Sequence, residues 1–193
     1  MALKNVEWIP LAVNLRAGEQ NATEYKEFNA AGLVPTLIDD HHVITESIAI
    51  FDYLDRAYPQ PRLMPHAAPD RARALEIATL IACDIHPLNN LRVLKYLTDH
   101  LDVTSAQETA WMTHWLMTGF TAIEALLPAE GEWCVGDTPS IADCFLVPQM
   151  ANALRAGFDC QPFERARRIF DSCMSLTAFQ KAAPNAQPDY VAH

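Results

Sequence analysis

Hydrophobic and polar positions follow two different rhythms along this chain. In the first third, apolar residues come in short runs broken by turn chemistry. Residues 8–14 read as a strand, 18–21 as a loop and 23–29 as a short helix. Ala2-Leu3-Lys4-Asn5 reads as the end of a helix, with Lys4 and Asn5 suited to a C-terminal turn and cap. Residues 33–58 then read as strand, turn, strand, helix. Pro35 stands where a strand begins, since its missing N–H bars it from the middle of a ladder. Residues 36–39 and 42–44 form a hairpin in outline around Asp40 and His41. After Thr45-Glu46-Ser47, Ile48, Phe51, Leu54 and Tyr58 fall at helical spacing.

Four prolines between Pro59 and Pro69 end that helix and make a stiff linker. Beyond it the rhythm is helical throughout. Residues 70–101 place Ile77, Ile81, Leu88, Leu91 and Leu94 near one face, with a bend expected at Pro87. Residues 105–127 carry Trp111, Trp115, Ile123 and Leu126, whose indoles read as core. Residues 131–137 form a loop. Ser140-Ile141-Ala142-Asp143 is a capping box with Asp in place of Glu, and its helix runs towards Leu154 with Pro148 inside. Two short helices, 161–170 and 175–182, close the chain. The fold class is therefore α+β, with a boundary in the proline linker.

Composition narrows the class of function. Half of the 193 residues are hydrophobic and 20% are charged, which is ordinary for a globular protein with a real core. A net charge of −10 opposes binding to nucleic acid, whose phosphates need a basic face, and to an anionic membrane surface. Five cysteines, with no C-x-x-C pair, point to a reducing compartment, and a cytoplasmic location is expected. The seven histidines form no H-x-x-x-H or Cys/His cluster, so no metal is expected. The N-terminus lacks a secretory apolar core, and no stretch has the roughly 20 apolar residues of a membrane helix.

Candidate chemistry sits at the start of the helix after the hairpin. Helix N-termini present unpaired N–H groups and partial positive charge, which suit a small carboxylate. Ser47 adds a hydroxyl donor there, and Glu46 beside it suits an ammonium. Together they fit an α-amino acid head group. An ordinary hairpin followed by a capped helix accounts for the same residues.

Val34-Pro35 followed by Glu46-Ser47 at a helix start resembles the glutathione-binding half of a glutathione transferase. In that family the proline is cis. The resemblance extends along the chain and sharpens to the zeta class, the maleylacetoacetate isomerases and their maleylpyruvate isomerase relatives. It rests on Asp84-Ile85-His86-Pro87-Leu88-Asn89-Asn90-Leu91-Arg92-Val93-Leu94, on Cys134-Val135-Gly136-Asp137, on Ser140-Ile141-Ala142-Asp143 and on Leu146-Val147-Pro148-Gln149-Met150-Ala151-Asn152-Ala153. It implies an incomplete thioredoxin-like N-terminal domain (residues 1–62) followed by an all-α C-terminal domain (residues 70–193), the glutathione transferase fold.

The resemblance also implies a cofactor, glutathione. Gln20 matches a contacting glutamine, Val34 the backbone contact to the cysteinyl part, and Glu46 and Ser47 the γ-glutamyl contacts. His86, Asn90, Leu91 and Arg92 fall where the zeta class brings its first long helix to the glutathione site. His86 is equally a packing histidine beside the Pro87 bend. Arg92 and Arg155 match substrate positions, and arginine recognises carboxylates bidentately, as a dicarboxylate substrate demands. A surface ion pair is the plainer role for either. The implied reaction is glutathione-dependent cis–trans isomerisation of maleylacetoacetate or maleylpyruvate, by a homodimer.

One departure from the family is expected to matter. Zeta members begin with a strand, a serine motif and the start of the first helix, which hold the glutathione thiolate. This sequence begins near the end of that helix, so the thiolate-activating residue is unknown here. The alternatives are a general transferase or dehalogenase-like activity, or a catalytically silent scaffold of the same fold. Without the family's opening strand, residues 8–13 and 36–39 are expected to show unpaired backbone groups.

Overall fold

A computed structural model describes residues 1–187 and Tyr190. The chain divides into two units. The first comprises Met1–Arg62 together with the chain from Lys181 onward, and the second Leu63–Gln180.

The first unit opens with a single 3₁₀ turn, Ala2–Lys4, closed by Asn5 in the left-handed region at φ 53°. This is the helix end and cap that Lys4 and Asn5 predict. Lys4 Nζ is buried against Asp55 Oδ1 at 2.9 Å and the Pro61 carbonyl at 2.6 Å, tying the turn to the helix ahead of the linker. Residues 8–14 are not a strand. They run without regular structure, and Trp8, Ile9 and Leu11 are 44%, 87% and 78% exposed. Strand propensity is realised only against a ladder partner, and among the described residues this segment has none. A 3₁₀ turn, Glu19–Asn21, leads into α1 (Thr23–Lys26), shorter than its apolar pattern implied.

The sheet has two strands, β1 (Thr36–Asp39) and β2 (His42–Thr45), antiparallel with Thr36 opposite Thr45 and Asp39 opposite His42. Asp40 carries the reversal at φ 53°, a conformation that Asp tolerates better than most residues. Among the described residues, β1 is paired on one edge only. From β2 the chain enters α2 (Ser47–Ala57). Tyr53 on α2 donates its hydroxyl to Asp39 Oδ2 at 2.9 Å, and this bond holds the helix to the hairpin. The neighbouring carboxylate raises the Tyr53 pKa.

The second unit is helical: α3 (Ala68–Thr79), α4 (Leu91–Leu101), α5 (Ser105–Leu126), α6 (Ile141–Arg155) and α7 (Glu164–Met174). The helix α8 (Thr177–Ala182) follows α7. The continuous helix anticipated over 70–101 is broken. A π-helical turn, Leu80–Ile85, and a 3₁₀ turn, His86–Asn89, separate α3 from α4. Pro87 explains the break: it has no N–H for the carbonyl four residues back, and its ring collides with that carbonyl. Gly119 on α5 lies so close to Ile85 that an added Cβ would overlap the Ile85 side chain.

The core of this unit holds Ile77, Ile85, Leu116, Phe120, Ile123, Ile141, Leu146, Met150 and Ile169, each essentially inaccessible. Burying a side chain of this size stabilises by about 1.5–3 kcal/mol. Phe120, Phe158 and Phe163 cluster with ring centroids 5.4–6.0 Å apart. Two capping boxes start the long helices, Thr104 with Gln107 and Ser140 with Asp143. The second is buried. Asp143 accepts from the backbone N–H groups of Cys134 and Ser140 and from the Ser140 hydroxyl at 2.8–2.9 Å. Burial, helped by the same carboxylate, pushes the Cys134 and Cys173 thiols far up, so both are inert at neutral pH. All five cysteines are free.

Candidate functional site

In the first unit, the turn ahead of β1 and the start of α2 carry the candidate ligand positions. The Val34–Pro35 peptide is cis. Val34 is 42% exposed. On the amino side, the Leu33 carbonyl accepts from the Tyr25 hydroxyl at 2.6 Å and from Asn29 Nδ2 at 2.7 Å. On the carboxyl side, Thr36 Oγ1 lies 2.9 Å from the same Tyr25 hydroxyl. Gly32 is held at φ 61°, where a Cβ would come within 3.0 Å of the Gln20 carbonyl. Only glycine lets this turn and the Gln20 loop approach so closely.

Glu46 precedes α2 at φ 66° and ψ 119°, outside the left-handed helical well and unusual for any residue with a side chain. Such backbone strain concentrates at ligand sites. Ser47 is not the cap of this helix. Glu46 occupies the cap position, Ser47 is the first helical residue, and no side chain bonds back to the free N–H groups of the first turn. The helix start therefore has no side-chain cap bond among the described residues. Gln20 supplies a further unsatisfied group: its Oε1 is buried with no hydrogen-bond partner. Leaving a buried acceptor without a donor is costly.

In the second unit, the turn after the π-helical stretch groups the other predicted positions. Asn90 caps α4, its Oδ1 accepting from the Arg92 N–H at 3.1 Å. Asn90 Nδ2 lies 3.4 Å from His86 Nε2. The His86 ring keeps an exposed edge, yet surrounding atoms crowd it, and loss of solvent lowers its pKa from the ordinary value. A neutral ring with Nε2 accepting from Asn90 fits that direction. Leu91 is the first residue of α4 and Arg92 the second. A cation in the first turn opposes the helix dipole, and α4 has no acidic residue there to offset it. The Arg92 N–H is taken by Asn90 Oδ1 and the Val93 and Leu94 N–H groups by the Asn90 carbonyl, so an anion at this end would depend mainly on the guanidinium.

Arg155 is the last residue of α6, exposed, with Nη2 donating to Asn152 Oδ1 at 2.7 Å. Neither Arg92 nor Arg155 forms a salt bridge among the described residues. Their guanidinium groups are therefore open to a carboxylate ligand.

Sequence reasoning missed the supports behind these positions. Trp111 Nε1 donates to the Leu88 carbonyl at 2.7 Å and braces the turn that carries Asn90 and Arg92. Tyr25 and Asn29 brace the turn at Val34. Their i, i+4 spacing was a usable signal, since residues four apart share a helix face. No group of three or more His, Cys, Asp or Glu among the described residues is arranged to hold a metal. No helix there is long and apolar enough to cross a membrane.

The chain is similar to known proteins along nearly its whole length. The family model "Glutathione S-transferase, N-terminal domain" matches residues 3–62. A maleylpyruvate isomerase from Ralstonia is 42% identical over 97% of this chain and 90% of its own length. A maleylacetoacetate isomerase from Pseudomonas aeruginosa is 39% identical over 98% of this chain and 90% of its own. Among solved structures, the holo form of a maleylpyruvate isomerase, described as a bacterial glutathione S-transferase in the zeta class, superposes with a TM-score of 0.95. It is 41% identical and covers 98% of this chain and 91% of its own. A maleylacetoacetate isomerase from Anaeromyxobacter dehalogenans with glutathione bound gives a TM-score of 0.87 at 34% identity, covering 98% of this chain and 89% of its own. The chain belongs to the glutathione transferase family, in its zeta class.

Proposed function

We propose that this protein is a glutathione-dependent cis–trans isomerase acting on maleylpyruvate or maleylacetoacetate. The observation that carries the reading is the start of α2. There a strained Glu46 precedes a helix whose start has no side-chain cap bond among the described residues, and in the same unit Gln20 Oε1 is buried without a donor among them. These residues fit glutathione. The N–H groups and hydroxyl of Ser47 receive the γ-glutamyl carboxylate, and the Glu46 carboxylate receives its ammonium. Val34 offers its backbone to the cysteinyl part, and Gln20 Oε1 accepts a donor from the same ligand.

Bound glutathione supplies a thiol nucleophile for addition to the conjugated double bond, which then turns about a single bond before elimination. The chain's own residues bind and orient. Arg92 takes one substrate carboxylate, and Arg155 takes the other through a planar donor pair. Asn90 holds Arg92 in register through the helix cap, and His86, neutral at pH 7, accepts from Asn90 rather than adding charge. Residues 1–62 act as the cofactor domain and residues 70–193 as the helical domain. The working form is a homodimer in the cytoplasm, a reading supported by the five free thiols and the family relationship.

Retention on immobilised glutathione, followed by assay with maleylpyruvate and maleylacetoacetate, tests the proposal. Isomerisation at ordinary enzyme rates, roughly 1–10³ per second, is the expected result. Retention without turnover identifies a binding scaffold, and loss of both overturns the reading. Sedimentation velocity tests the dimer.

A further inference from the structure

Tyr25 and its neighbours form a brace around the turn at Val34. At 2.6 Å the Leu33 carbonyl can only accept, so the single Tyr25 hydroxyl proton is committed to it. The contact with Thr36 Oγ1 at 2.9 Å must then run the other way, with the threonine donating to the tyrosine oxygen. One oxygen thus joins residue 33 to residue 36, one on each side of Val34–Pro35. Asn29, 6% exposed, adds a second donor to the Leu33 carbonyl, and its Oδ1 accepts from the Ala31 N–H at 3.1 Å. The Asn29 N–H in turn bonds to the Tyr25 carbonyl at 3.0 Å. The brace ties both flanks of the turn, while Val34 and Pro35 between them stay exposed.

We propose that Tyr25 is a positioning residue for glutathione: its hydroxyl fixes Leu33 and Thr36 together, and so holds the Val34 backbone where the cysteinyl part of the tripeptide pairs with it. The inference rests on the glutathione reading of this site. Tyr25 touches no ligand. Its effect passes through the main chain, because a ligand that pairs with backbone N–H and C=O groups depends on their direction as well as their presence. A turn tied at both ends pays little ordering cost when the ligand binds. Freed at one end, it pays that cost from the binding energy.

The test compares Tyr25→Phe with Tyr53→Phe. Both lose one hydroxyl in the same unit, but the Tyr53 hydroxyl serves Asp39, at the turn end of the hairpin. Glutathione is titrated calorimetrically into each folded variant, with melting temperature measured alongside. Tyr25→Phe is expected to weaken glutathione about five- to tenfold, the loss of one hydrogen bond's worth of binding. Its KM for the dicarboxylate, at saturating glutathione, stays at the wild-type value. Tyr53→Phe lowers the melting temperature and leaves glutathione affinity unchanged. Thr36→Val, which removes only the donor to Tyr25, gives a smaller loss in the same direction and serves if Tyr25→Phe fails to fold. If Tyr25→Phe or Thr36→Val melts lower yet binds glutathione as tightly as wild type, Tyr25 is structural and the inference is overturned while the glutathione reading stands. If the wild type itself does not bind glutathione, the reading of the site falls and takes the inference with it.

Discussion

The Trp111 indole N–H donates to the Leu88 carbonyl at 2.7 Å, bridging 23 residues from α5 to the turn before α4. That turn lost its own helical partners at the Pro87 break, so a side chain from a neighbouring helix supplies one. Trp111→Phe keeps the aromatic packing and removes the donor. It is expected to destabilise the fold by about 1–3 kcal/mol, the cost of leaving a partly buried carbonyl unpaired. A urea midpoint equal to that of wild type would mean that solvent satisfies Leu88.

Arg155 ends α6 with one nitrogen held by Asn152 and the rest of its guanidinium open. Arg155→Ala should lower kcat/KM for the dicarboxylate about 10- to 100-fold, the loss of a charged hydrogen-bonded contact of about 1.5–3 kcal/mol. Glutathione affinity should be nearly unchanged. Steady-state kinetics with each substrate varied in turn separates the two, and an unaltered kcat/KM would make Arg155 a helix-end partner of Asn152 alone.

Ser47 is the first helical residue and caps nothing. Ser47→Ala therefore carries no capping penalty, and alanine is the better helix former. Its melting temperature should match or slightly exceed that of wild type. Glutathione affinity should fall about tenfold with the lost hydroxyl donor. A variant that is equally stable and binds equally well would remove Ser47 from the site.

The His86 pKa is lowered by loss of solvent, so the unfolded chain takes up this proton before the folded one as pH falls. Stability contributed by neutral His86 is present above the unfolded value of about 6.5 and is lost as pH falls from there through the folded pKa. Melting temperature should thus decline more steeply on acidification in wild type than in His86→Asn. Parallel pH profiles for the two proteins would show that His86 titrates alike in both states.

Local chemistry was legible from the residues alone. The period of 3.6 anticipated the helices of the second unit, and Pro87 marked a bend at the place where the structure breaks the helix. The Ser140–Asp143 capping box needed no tertiary knowledge, because every partner lies within one turn. Glu46-Ser47 marked the candidate site for the same reason, since a helix start is a property of a few consecutive residues.

What the tertiary structure alone decided depended on partners distant in sequence or on backbone torsions that residue types do not specify. Residues 8–14 have strand-like composition, but a strand exists only when another chain segment completes its hydrogen bonds, and the segment lies exposed instead. The cap position falls on Glu46, at φ 66° and ψ 119°, a torsion that residue type does not specify. The Pro87 break became a π-helical and a 3₁₀ turn in a helical unit where Ile85 packs against Gly119 and Trp111 reaches Leu88. Residue type and spacing set which elements are possible here. Which backbone groups end up paired, and which are left facing a ligand, is settled only when the folded chain has brought its acceptors and donors within about 3 Å of one another.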